Sequence, residues 1–194
     1  MKHPLDFVPD EYRRRIFLPL LFLTLGLFGV FGILDQPLRT ASAPNGIVSF
    51  ELAHSVDQAA MIVTEWKRST LPLSSVAGQA NVDVVNVAYT FAAFGLGLDY
   101  LFMPVYGLTL ALGTLLAGAR QGGKFKLLGA VAGWGALAAM FFDAVENYAL
   151  FQILLGRVMQ PYPQVAFLCA TVKFILLIFG LVVALVGWLA PRKV

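Results

Sequence analysis

Four stretches of this chain, residues 16–34, 84–119, 127–155 and 165–190, are too apolar to be elements of a soluble fold. A helix of about 20 residues crosses the hydrocarbon core of a bilayer, and these stretches are near that length or longer. The sequence therefore predicts an all-α transmembrane four-helix bundle, built as one membrane domain of 194 residues. Composition agrees with this: 59% of residues are hydrophobic and 13% are charged, about half the charge of a soluble domain. Disorder is excluded. The net charge of +3 is small and its basic residues gather at the span ends, which reads as topology and not as a nucleic-acid footprint.

The first apolar run could be mistaken for a cleaved signal. Arg13, Arg14 and Arg15 precede it, and Ala41-Ser42-Ala43 looks like a cleavage site. The run is longer than the 7–15 residues of a signal core, and Pro44 follows the small residues. It is expected to stay as the first span, with Pro19 in its first turn, where a missing N–H costs little.

Positive charge marks the cytoplasmic side. Lys2 and the three arginines precede span 1, Arg120, Lys124 and Lys126 lie between spans 2 and 3, and Arg192 and Lys193 follow span 4. Four spans put all three groups on one side. Both termini are then cytoplasmic, residues 1–15 form a tail, and residues 35–83 form a large extracytoplasmic connection. A multi-pass protein of the cell membrane, of the bacterial cytoplasmic type, is expected.

Ionisable residues interrupt three of the runs: Asp99 in the second, Asp143 and Glu146 in the third, Lys173 in the fourth. Counted at 1.5 Å per residue from the basic ends, they fall at one level, the outer edge of the hydrocarbon. The apolar sequence continues two or more turns beyond them. Bare apolar surface of that extent needs a cover, and only residues 35–83 can supply it. There Ser55 predicts the cap of a helix from Val56 to about Lys67, with Ala59, Ile62, Val63 and Trp66 on one face. This amphipathic helix is the expected lid. The remainder, residues 71–78, leads back to span 2, with Asn81 or Asp83 as its cap.

Small residues should set the helix packing: Gly26, Gly29 and Gly32 in span 1, Gly129 and Gly133 in span 3, and Gly180, Ala184 and Gly187 in span 4. Without a hydrophobic drive in lipid, small residues allow close approach. Pro104 is expected to kink span 2.

Asp143, Glu146 and Asn147 share one helix face at i, i+3, i+4. If Asp99 and Lys173 face the same axis, one ammonium meets up to three carboxylates, with Tyr100, Tyr106 and Tyr148 as donors. Glu51, His54 and Asp57 are spaced by three and would join them from the lid if that stretch is helical. Three readings stay open. The cluster is a structural pin for helix register, or a binding site for a lipid headgroup, quinone-like molecule or cation, or a catalytic site with Asp143 or Glu146 as base and His54 assisting. No cofactor can be named, because there is no glycine-rich phosphate loop, Ser-His-Asp signature, haem motif or strong metal-ligand spacing. Cys169 stands alone, so no internal disulfide exists, and its apolar run makes it a small core residue.

The strings GIVSFELA (46–53), LDYLFMPVYG (98–107) and DAVENYAL (143–150) resemble a group of uncharacterised bacterial four-span membrane proteins. The resemblance implies the same topology and draws attention to Glu51, Asp99, Asp143, Glu146 and Asn147, without an activity. The first function expected is a membrane binding or accessory protein with a polar pocket near the outer leaflet. The alternative is a small enzyme acting on a lipid-like substrate by carboxylate or metal chemistry. Membrane lipids, a second membrane protein or another copy of this chain are the partners that fit. A transporter within one copy is disfavoured by the lack of an inverted repeat.

Overall fold

A computed structural model describes residues 1–71 and 85–191. Four helices in it are long and apolar enough to cross a membrane, as a multi-pass membrane protein requires. They are α1 (Asp10–Leu34), α4 (Val87–Gln121), α5 (Gly123–Leu154) and α6 (Tyr162–Leu189). Two shorter helices, α2 (Ile47–Glu51) and α3 (Val56–Arg68), lie between α1 and α4, together with a 3-10 turn at Gln36–Leu38. Strands β1 (Thr70–Leu71) and β2 (Val85–Asn86) form one minimal antiparallel pair. Of the expected return segment 71–78, Leu71 lies in β1, while its other residues, the caps Asn81 or Asp83 and the basic pair Arg192 and Lys193 lie outside the described residues.

The chain divides into two compact units. One holds Met1–Phe28, Tyr100–Ala144 and Cys169–Val194, and the other Gly29–Asp99 and Val145–Leu168. Each long helix supplies a part to both.

The second unit contains the lid. At 1.5 Å per residue, the 35-residue α4 and the 32-residue α5 are each about 50 Å long, well beyond a hydrocarbon core of about 30 Å. Their ends need protein cover, and they have it. Ile62, Val63 and Trp66 of α3 and Phe50 of α2 are buried in one core with Ala88, Ala92 and Leu96 of α4, Leu150, Ile153 and Leu154 of α5 and Ala166 of α6. The lid helix starts where its sequence says: the Ser55 side chain accepts from the Gln58 N–H at 3.2 Å. Trp66 is fully buried, and its indole donates to the Leu38 carbonyl at 2.9 Å. Ring contact between Phe50 and Trp66, edge to face at 5.2 Å, ties α2 to α3.

Two carboxylates fix the loop before the lid. Glu65 accepts from the N–H groups of Ala41 and Ser42, and the Ser42 contacts hold its carboxyl below the usual range. Asp35 accepts from the Ile47 N–H at 2.7 Å and from Arg39. Gly46 is required there twice over: its φ is +58°, and a Cβ would overlap the Asp35 carboxylate.

The first unit is packed through glycines. A Cβ at Gly129 would stand 2.7 Å from the Thr114 carbonyl, and one at Gly180 or Gly187 would strike Leu110 or Ala117 and Phe125. Gly26, Gly29 and Gly32 behave differently: nothing lies within 4 Å of where their Cβ atoms would be. The expected close approach along span 1 is absent, because α1 buries none of its residues. Within the first unit it is held by stacking of Phe17 on Trp188 and by the Thr24–Thr109 hydroxyl contact at 2.8 Å. Pro104 sits inside an unbroken α4.

Residues 1–9, expected as a plain tail, fold onto α4 and α5. Leu5 joins a core with Ala111, Leu112, Leu115 and Ala136. His3 is buried and occupies the space that a Cβ at Gly133 would need. Trp134 donates to the Lys2 carbonyl at 3.1 Å.

Candidate functional site

The sequence candidates fall into two sets, one per unit. In the first unit Asp143 of α5 is almost fully buried, and both its oxygens are engaged. Tyr106 of α4 donates to Oδ2 at 2.6 Å, and Lys173 of α6 donates to Oδ1 at 3.0 Å. Lys173 is itself buried and does not extend to the surface. One carboxylate thus joins three membrane-length helices. A buried pair of this kind is tolerated only with good geometry and further hydrogen bonds. Here the phenol supplies the further bond. Tyr100, half-exposed, donates to the Ala144 carbonyl at 3.3 Å.

In the second unit the centre is Asn147 of α5. It is fully buried, and its amide donates to Asp99 Oδ2 at 2.8 Å and to the Leu96 carbonyl at 3.3 Å. Both acceptors lie on the amino side, which fixes the orientation of the group. The oxygen, Oδ1, must therefore face the other way, where no donor of the described residues reaches it. Asp99 itself is partly accessible. Glu146 is fully buried and Glu51 nearly so.

The proposed ladder of Glu51, His54 and Asp57 does not form. The helix carrying Glu51 ends there, residues 52–55 are not helical, and Ser55 starts a new helix. The cap that makes the lid helix also breaks the spacing. His54 is exposed, with its ring edge-to-face on Phe167 at 5.8 Å. Tyr148, a candidate donor, is exposed. Among the described residues, no three His, Cys, Asp or Glu side chains are placed to hold a metal ion.

His3 is a functional group that the sequence reading passed over. Its Nδ1 accepts from the Leu5 N–H at 3.0 Å, and its Nε2 lies 3.3 Å from the Thr114 hydroxyl, which donates to the Ala111 carbonyl at 2.9 Å. With Nδ1 accepting and Thr114 already donating, the ring fits as the neutral Nε2–H tautomer. Burial pushes its pKa down to about 4, against a partial pull upward from Asp6. Nothing in the three-residue start Met1-Lys2-His3, flanked by Pro4, gives periodicity to read. The usable signal was the small-residue groove of Gly129 and Gly133 on span 3, which needs a filler.

No known protein family, curated protein or solved structure was found to match this chain.

Proposed function

We propose that this is an integral membrane binding or accessory protein of the bacterial cytoplasmic membrane, whose site centres on Asp99 and Asn147 in the lid-bearing unit. The observation that carries it is Asn147 Oδ1: a buried acceptor with its amide locked and no donor among the described residues. Leaving such an acceptor unmet costs about 1–3 kcal/mol, so a native chain keeps one for a reason such as a ligand or an ordered water. The group that Oδ1 suits is a donor or a cation: an ammonium, a hydroxyl or a small metal ion, with the Asp99 carboxylate holding the other side of the amide. Positive-inside charge favours both termini in the cytoplasm and the lid outside, so the site lies toward the outer leaflet. Asp143, with both oxygens occupied by Tyr106 and Lys173, is better suited to pinning helices than to acting as a base. The resemblance to bacterial four-span proteins belongs with this reading.

The test is thermal unfolding of the purified chain in detergent with Na⁺, Mg²⁺, ethanolamine or a hydroquinone as probes. A ligand that binds only the folded state stabilises by about 2.7 kcal/mol at 100 times its Kd. A raised midpoint with one of these, lost in Asp99→Asn and Asn147→Leu, is expected. If no probe shifts the native chain and Asn147→Leu is the more stable protein, the residue is structural.

A further inference from the structure

The first unit carries a cavity of about 350 Å³, open on one side, beneath the folded start of the chain. It lies at the end of the unit that bears Arg120, Lys124 and Lys126, far in sequence from Asn147. Its volume falls in the range of about 300–1,000 Å³ typical of small-molecule sites. The lining is mixed in an informative way. Leu115, Leu127 and Ala130 are apolar, Lys126 brings a cation, Asp6 an anion, and His3 a neutral imidazole. Lys126 and Leu127 are exposed, so the mouth opens where membrane-length helices meet their surroundings. Asp6 is half-buried, with one carboxylate oxygen accepting from the His3 N–H at 3.0 Å.

One charge of each sign over an apolar floor does not suit a simple anion, which Asp6 repels, nor a simple cation, which Lys126 repels. It suits a zwitterion that carries a phosphate and a primary ammonium a few bonds apart. We propose that this cavity binds a phosphoethanolamine group, with the phosphate toward Lys126 and the ammonium toward Asp6. Charge-assisted bonds of that kind are the strong ones. An ammonium donates three hydrogen bonds, whereas a quaternary amine donates none, so the site discriminates between them. The apolar lining accommodates the start of acyl chains. That favours phosphatidylethanolamine from the bilayer over the free headgroup as the source.

The site is independent of Asn147, and its test reads a different ligand. Purified chain in detergent is mixed with equal amounts of phosphatidylethanolamine, phosphatidylcholine and phosphatidylglycerol, and the lipids retained are counted by native mass spectrometry. Phosphatidylethanolamine is expected to be retained at least about threefold over each of the others. Asp6→Asn should remove the preference over phosphatidylcholine while phospholipid is still retained. Lys126→Gln, at an exposed position that leaves folding intact, should lower retention of all three. Equal retention of the three lipids by the native chain overturns the proposal, as does a preference that survives both substitutions. Displacement of the lipid by millimolar free phosphoethanolamine supports the recognition chemistry and assigns a soluble source. No displacement supports the bilayer source.

Discussion

At the scale of single residues, the strongest constraint is the Asp143–Lys173 pair with Tyr106. Removing one partner strands a buried charge, whereas removing both does not. Asp143→Asn and Lys173→Met are each expected to destabilise by about 3 kcal/mol, and the double variant by much less than the sum. Reversible unfolding in mixed detergent measures it, and simple additivity would show that the pair is uncoupled. His3 gives the opposite kind of test. Its docked pKa of about 4 lies below its ordinary 6.5, so the undocked segment binds the proton more readily. Docking of residues 1–9 is complete above pH 6.5 and weakens as pH falls toward 4. The charged groups that act on it are Asp6, which pulls its pKa up, and Arg13, which pushes it down. Trp134 fluorescence should report the release, because its indole bonds to Lys2, and His3→Gln should flatten the profile. Depth counting made the level of Asp143 and Lys173 legible in the sequence, since helix rise is fixed. It could not tell which carboxylate the lysine takes, because that depends on how the helices are rotated.

At the scale of elements, the lid was the most readable part. Ser55 and the apolar face through Trp66 obey local rules, and the core they enter confirms the spacing. Ser55→Ala is expected to cost about 1 kcal/mol, seen as faster hydrogen exchange over Val56–Arg68 with little change in α5. Uniform acceleration throughout the chain would mean that the cap acts on the whole fold. The expected join of His54 to the carboxylates failed for the same reason the lid succeeded: a cap at Ser55 resets the helix. In α1 the glycine pattern was read as packing, yet the helix presents those glycines openly. A small-residue pattern states that close approach is possible, and only the tertiary contacts decide whether it happens.

At the scale of the whole molecule, sequence hydropathy was enough to count the spans, because the requirement for about 20 apolar residues has few solutions in a chain of this length. Sidedness rests on charge. In a Cys169→Ala background, cysteines at the exposed positions Ser42 and Lys124 should label from opposite faces of the membrane with an impermeant reagent. Labelling of both from one face would overturn the orientation and with it the outward placement of the Asn147 site. What the sequence hid at this scale was the use of residues 1–9, whose partners on α4 and α5 lie more than a hundred positions away.

The lid precedes in the chain the helix ends that it covers. Chains emerge from the ribosome N-terminus first, so Ile62, Val63 and Trp66 are made before Leu150, Leu154 and Ala166. In that interval the amphipathic helix has Ala88, Ala92 and Leu96 of α4 beside it but not its partners on α5 and α6. With that face incompletely covered, it is suited to lie along the lipid surface. Biogenesis of this protein should accordingly be more sensitive to the outer lipid surface than the finished fold is.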